Sequence, residues 1–203
     1  MTLLIITAVE PEAAAIRAGL SRADVAAVGA GPAAAAAGTA RRLALKPYEA
    51  VLSAGIAGAF PGRAALAATI LGARSIAADL GAESPEGFLP IDTLGFGTST
   101  QPADPALLKT LQNALPQALT GDILTLTTVT GTAETTERLA GAHPEALAEA
   151  MEGHGVATAA AQAGVPFAEL RTISNLIGPR DRKAWRLPEA LTALSQAAAN
   201  LPW

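Results

Sequence analysis

Four short stretches hold most of the side chains able to do chemistry. They are "AVEPE", with Glu10 and Glu12; "SAGIAG", Ser53 to Gly58; "AMEG", with Met151 and Glu152; and "RTISN", Arg171 to Asn175. Each stands at the expected C-terminal end of a strand, the edge at which open α/β sheets bind ligands. Together they offer two carboxylates, a small-residue turn whose backbone at Ala57 and Gly58 can floor a cleft, and an amide. Such a set suits hydrolysis of a glycosidic bond: one carboxylate activates water, another holds sugar hydroxyls, and a polar group meets the leaving base. Each residue also has a plainer use. Glu12 falls where an acid complements a helix N-terminus. Glu152 could be a solvated helix residue, and Asn175 could be a cap.

The elements that must position these residues follow from pattern. "LLIITA" (3–8) is a short β-branched run and predicts a buried strand. Pro11 and the acids at 10 and 12 then open a helix. "DVAAVGAG" (24–31) predicts strand and turn, with a helix starting at Pro32, and 49–60 a second strand ending in a glycine turn. Residues 64–80 fit either helix or two strands, and 81–105 reads as one long turn-rich loop. Helices are expected over 105–115 and 187–201, a short one at "AETTERLAG", and strands over 122–131 and 165–174. Alanine propensity makes 146–164 one long helix, broken by Gly153 and Gly155. Strands and helices alternate without a linker or repeat, the pattern of a single α/β domain over 1–203 with helices on both faces of the sheet.

Composition narrows the chemistry. The chain has 203 residues, 50% hydrophobic and only 16% charged, with a formal net charge of −4 and no basic run. Nucleic-acid binding is not expected, because a phosphate backbone demands clustered Lys and Arg. The absence of cysteine excludes disulfides and thiolate chemistry, and two histidines are too few for a His-rich metal site. No metal or cofactor is expected. No apolar run reaches the ~20 residues of a membrane span, and the N-terminal run lacks a basic lead-in, so the expectation is a soluble cytoplasmic protein.

"VGAGPAAAAAG" (28–38) could mislead. Gly29, Gly31 and Ala34 fit a dinucleotide fingerprint, with pyrophosphate on the following helix N-terminus. Against it, the motif follows the second strand, the ribose-binding acid is missing from the next strand, and a second glycine turn comes at once. Tight turns where helices pack on strands explain the glycines nearly as well.

The whole chain resembles the purine nucleoside phosphorylase and nucleosidase superfamily. Within it, the chain is similar to methylthioadenosine/S-adenosylhomocysteine nucleosidases and, more closely, to futalosine hydrolases. The likeness rests on "AVEPE" after the first strand, "GAGPAAAAAGTARRL", "SAGIAG", "MEG" and "RTISN". "ADLGAESPEGFLPID" and "SNLIGPRDRKAW" look specific to futalosine hydrolases. The resemblance implies a three-layer fold, a central mixed β-sheet flanked by helices. It also implies a strand near 146–151 and a helix from about 154, against alanine propensity.

It implies roles as well. Glu12 falls on the family's general base and Glu152 on the acid that takes both ribose hydroxyls. Met151 would line the sugar, Arg171 would counter the carboxylates, and Ser174 and Asn175 would meet the purine. Adenine-specific members carry Asp where this chain has Asn175. A 6-oxopurine presents two acceptors, O6 and N7, on that edge, which an amide can donate to and a carboxylate repels. Asn175 therefore points to a hypoxanthine or guanine leaving base, and hypoxanthine is the base of futalosine. The two acids in "TAVEPE" disfavour bound phosphate and suit hydrolysis over phosphorolysis. The implied substrate is a small nucleoside of the menaquinone route, handled by a homodimer or larger homo-oligomer. Futalosine also carries a benzoate on the 5′ side of its ribose. The densest basic stretch, "GPRDRKAW", offers Arg180 or Arg182 for it, the alternative being a solvated loop in which Asp181 pairs with its neighbours.

Overall fold

The computed structural model describes residues 2–203. Its centre is a mixed sheet built from β1 (Leu3–Thr7), β2 (Asp24–Ala27), β3 (Ala50–Ala59), β4 (Thr69–Ala77), β7 (Thr100–Pro102), β8 (Leu119–Thr125), β9 (Ala146–Ala150) and β10 (Phe167–Leu176). β5 (Gly81–Ser84) and β6 (Gly87–Pro90) form a separate hairpin. Helices α1 (Glu10–Gly19), α2 (Pro32–Leu45), α3 (Ile91–Leu94), α4 (Pro105–Ala114), α5 (Ala133–Ala142), α6 (Gly153–Gln162) and α7 (Leu187–Ala199) complete the chain.

The sheet closes on itself. β10 pairs with β3 and β4, β4 with β8, β8 with β9, and β9 returns to β3. A ring this small has room only for modest side chains. Ala57, Ala59, Ile70, Ile123, Ala148, Ala150 and Ile173 form its core. β1 and β2 extend the sheet beyond the ring, parallel to β3. β1 is buried along its whole length and serves both faces. Leu3 and Ile5 join a core with Ile16, Leu107, Leu111 and Leu194 from α1, α4 and α7, while Leu4 and Ile6 pack with Ala35, Val156 and Ala160 from α2 and α6.

Along one edge, β3 changes partner. Residues 50–53 pair with β1, and 58–59 pair with β9. The residues between have no strand on that edge, so a cleft opens there. It is the closed-ring counterpart of the switch point at which open α/β sheets bind ligands.

Five local readings change. The glycine turn expected at the end of 49–60 is not a turn: β3 runs on through Gly55 and Gly58 to Ala59, because its neighbours β9 and β10 pair with it there. Residues 64–80 resolve as the single strand β4. Residues 81–105 are not one loop but hairpin, short helix and strand; the turn is fixed by Ser84, whose hydroxyl donates to the Gly87 carbonyl at 2.9 Å. The strand expected over 122–131 runs instead over Leu119–Thr125, starting three residues earlier and ending six earlier. The threonine run leaves the sheet because its polar groups find carboxylates instead: Thr127 donates to Asp79, and Thr130 to Glu149. At 146–164 the observed β9 and α6 follow the family resemblance rather than alanine propensity.

Candidate active site

Glu12 reaches the cleft because Pro11 and the two acids start α1 immediately after β1. Its carboxylate is buried and takes three backbone N–H groups. Oε2 accepts from Ala8 at 3.0 Å and Val9 at 3.2 Å; Oε1 accepts from Ile56 at 2.9 Å, on the unpartnered edge of β3. A carboxylate has about four acceptor positions, so one remains for a ligand or water.

Glu152 enters from the start of α6. Its Oε1 accepts from Gly31 N at 3.3 Å and its Oε2 from Met151 N at 3.3 Å. This resolves the G-x-G turn: the backbone N–H at the α2 N-terminus faces a glutamate, where a dinucleotide would need it for phosphate. Half-buried Met151 lies between β9 and that carboxylate.

Arg171, only 1% exposed, ties the group together. Nη1 donates to Glu152 Oε2 at 3.1 Å, Nη2 to Ser53 Oγ at 3.1 Å, and Nε to Glu169 Oε1 at 2.9 Å. Burial works against the guanidinium charge, but Glu169, Glu152 and Glu12 outweigh it and hold its pKa above the ordinary value. Burial pushes the Glu169 carboxyl up, with Arg171 pulling the other way. Glu169 escaped sequence reading because an acid in "FAELR" looks like the solvent face of an alternating strand. It is instead wholly enclosed, and its Oε2 has no hydrogen bond among the described residues. Gly55 is required here by close approach. A Cβ on it would lie 2.5 Å from Glu12 Oε1 and 2.9 Å from Arg171 Nη1, so any side chain would push Glu12 and Arg171 apart.

Further along β3 the polar groups change character. Gly58 has Glu149 of β9 as its neighbour on one side and Asn175 of β10 on the other. Asn175 gains that place through a bulge at Ser174, since Ile173 pairs with Ala57 but Asn175 with Gly58. The Ser174 hydroxyl lies 2.8 Å from Asn175 Oδ1 and 3.2 Å from the Ala57 carbonyl, and Asn175 Nδ2 donates to the Leu176 carbonyl at 3.0 Å. One amide N–H is left free to donate. A Cβ on Gly58 would sit 2.6 Å from Ile177 and 3.1 Å from Asn175 Nδ2. A cavity opens over this row, lined by Gly58, Asn175, Glu149, Val129, Thr130 and Arg180, among others. Val129, Thr130 and Glu149 are residues the sequence reading missed.

Arg180 and Arg182 lie outside the carboxylate cluster. Their guanidinium carbons stand 5.2 and 5.8 Å from the Trp185 ring centre. Asp181 accepts from Lys183 N at 3.0 Å. Arg63 is committed: it donates to the carbonyls of Ala140, His143 and Ala146. Among the described residues, no group of three or more His, Asp or Glu is arranged to hold a metal, and no helix is long and apolar enough to cross a membrane.

A ring-closed mixed sheet, helices on both faces and buried acids at the strand ends define a class. The chain belongs to the phosphorylase superfamily, matched over residues 4–202. Among its relatives are futalosine hydrolases. That of Streptomyces coelicolor is 50% identical over 88% of this chain and 77% of its own length, and that of Acidothermus cellulolyticus is 43% identical over 98% and 89%. The structure of the Helicobacter pylori futalosine hydrolase superposes with a TM-score of 0.86, covering 99% of this chain and 97% of that one at 17% identity, a likeness of fold.

Proposed function

We propose that this chain hydrolyses the N-glycosidic bond of futalosine, releasing hypoxanthine, in the futalosine route to menaquinone. The observation that carries the reading is spatial. The carboxylate cluster closes around Gly55 and the amide stands beside Gly58. Three residues along a strand span about 10 Å, roughly the reach of a nucleoside from sugar to base.

Laid along β3, the sugar meets the acids and the purine meets Asn175. Water at the free position of Glu12 gives its oxygen to C1′ and a proton to the carboxylate. The electron pair of the C1′–N9 bond passes into the purine, where the free Asn175 N–H meets the charge gathering on the O6/N7 edge; the departing base then takes a proton from solvent as Glu12 gives up the one it gained, which balances the hydrolysis. Glu152 takes the ribose hydroxyls; its two backbone bonds are long and yield to stronger donors. Developing positive charge on the sugar lies between Glu12 and Glu152. Arg171, the cation within this cluster, is already spent on two glutamates and a serine, which supports water over phosphate as the nucleophile.

Hypoxanthine release from futalosine, inosine and 5′-methylthioadenosine, each with and without phosphate, tests the reading. Turnover of futalosine is expected to be fastest and indifferent to phosphate. Phosphate-dependent release, or a preference for methylthioadenosine, would overturn it.

Arg180 and Arg182, both beside Trp185, are proposed to grip the benzoate, since a guanidinium can hold a carboxylate through two parallel hydrogen bonds. Because Arg180 lines the base cavity with Trp185, this requires the 5′ arm of the substrate to fold back over the purine. Replacing the contacting arginine by Ala is expected to lower kcat/KM for futalosine about 10- to 100-fold, the equivalent of ~1.5–3 kcal/mol for a charged hydrogen bond, and to leave inosine unchanged. Parallel losses on both substrates, or none on either, would reject the contact.

A further inference from the structure

The row Glu149, Gly58, Asn175 runs straight across three neighbouring strands. Residues abreast in a sheet point to the same face. Gly58 contributes no side chain, and the room this leaves is taken by Ile177 and by the Asn175 amide, which leans over it; the backbones that carry the carboxylate and the amide stand two strand spacings, roughly 10 Å, apart. Both line the same cavity.

Glu149 is buried, at 3% exposure, and it is held in place. Oε1 accepts from Thr130 N at 2.7 Å and Oε2 from Thr130 Oγ1 at 2.5 Å. The two bonds leave about two of its four acceptor positions unused. They also have a second effect. Without Glu149, the Thr130 N–H would be a free donor in the cavity wall; with it, that donor is consumed and an acceptor stands in its place. Placing a carboxylate in such a wall is costly, and a packing role would be served as well by an apolar residue.

The chemistry of the base makes sense of this. A 6-oxopurine carries acceptors at N7 and O6 and a donor at N1–H. A 6-aminopurine carries a donor at its amino group and an acceptor at N1. A wall with an amide donor on one side and a carboxylate acceptor on the other matches the first pattern and mismatches the second. We propose that Glu149 is a specificity-determining residue that accepts the N1–H of the leaving base, opposite Asn175. The inference rests on the proposed reading of this cavity as the base site, and it assigns the second half of that site.

The test is Glu149→Gln. The Gln carbonyl can still accept from Thr130 N, and its amide can donate to the Thr130 hydroxyl, so the wall keeps its shape. What changes is the group shown to the base, which becomes a donor facing N1–H. Binding of hypoxanthine, 1-methylhypoxanthine and adenine by titration calorimetry gives a readout free of turnover. The parent chain should prefer hypoxanthine over both others. The Gln variant should bind hypoxanthine about 10- to 100-fold more weakly, the loss of one charged hydrogen bond, and adenine at least as well as the parent does. An unchanged affinity for hypoxanthine, or equal losses on hypoxanthine and adenine at an unchanged melting temperature, would overturn the proposal. Futalosine turnover by the parent chain separates the two ideas. Cleavage with Glu149-independent base binding removes this inference alone. Glu149-dependent hypoxanthine binding without cleavage of futalosine removes the proposed substrate and leaves the base contact standing.

Discussion

Glu12→Gln is expected to bind futalosine nearly as the parent chain does and to turn it over about 100- to 10,000-fold more slowly, the usual contribution of a general base. The carboxylate sits in a socket of three N–H donors, from Ala8, Val9 and Ile56. A Gln oxygen can occupy only one side of that socket, and the amide nitrogen then faces a donor. The substitution therefore carries a stability cost of about 1–3 kcal/mol for one unsatisfied buried group, which a melting curve reads separately. Such a cost lowers the melting temperature by several degrees and leaves the folded fraction near unity at assay temperature. With folding accounted for, a drop in kcat at constant KM marks a group that acts on the reacting water. Proportionate losses in substrate affinity and rate would show that Glu12 only ties β1 to β3.

Asn175→Asp is expected to reverse the base preference, with the ratio of hypoxanthine to adenine nucleoside turnover changing by as much as ~10,000-fold, the discrimination that mispaired buried polar groups can reach. Asp keeps the size of the side chain and the acceptor that meets the Ser174 hydroxyl. It loses the donor. It also places a second carboxylate across Gly58 from Glu149, so one of the two is driven to hold a proton. Burial already pushes the Glu149 carboxyl up, against the pull of its Thr130 bonds, so the extra charge falls on a group poised to neutralise. The measurement is kcat/KM for inosine and adenosine across both proteins. An Asp variant that still favours inosine by the parent's margin would remove Asn175 from base recognition.

Much of this site was legible in the sequence because its acids follow strands. Glu12 is announced by β1 and Pro11, and Arg171, Ser174 and Asn175 by the run that becomes β10. Glu149 and Glu169 were not legible. Each lies inside a strand, where alternation makes a lone acid look solvent-facing; Glu169 is instead enclosed with Arg171, and Glu149, pointing out of the ring between the inward Ala148 and Ala150, is covered by the segment that carries Thr130. Glu152 was visible as a residue but not as a neighbour of Gly31, because the contact joins the starts of two helices 121 positions apart in the chain. The helix first read over 146–164 fails for a related reason. Alanine favours helix in isolation, yet alanine is also the residue small enough to line the inside of a narrow ring, as Ala148 and Ala150 do.

The closing strand of that ring is also nearly the last element made. β10 spans residues 167–176 and joins β3 to β4, strands that begin 117 and 98 residues earlier. A growing chain that has not yet reached it holds two long strands with bare hydrogen-bonding edges, the kind of surface on which other chains pair and aggregate. Pairing over such separations is slow, because loop-closure entropy is spent before the contacts form. The strand that ends this exposure is the one that carries Arg171 and Asn175. Shielding of the edges and assembly of the site are thus one event: an unfinished chain is prone to stick to its neighbours and has no means of cleaving a nucleoside.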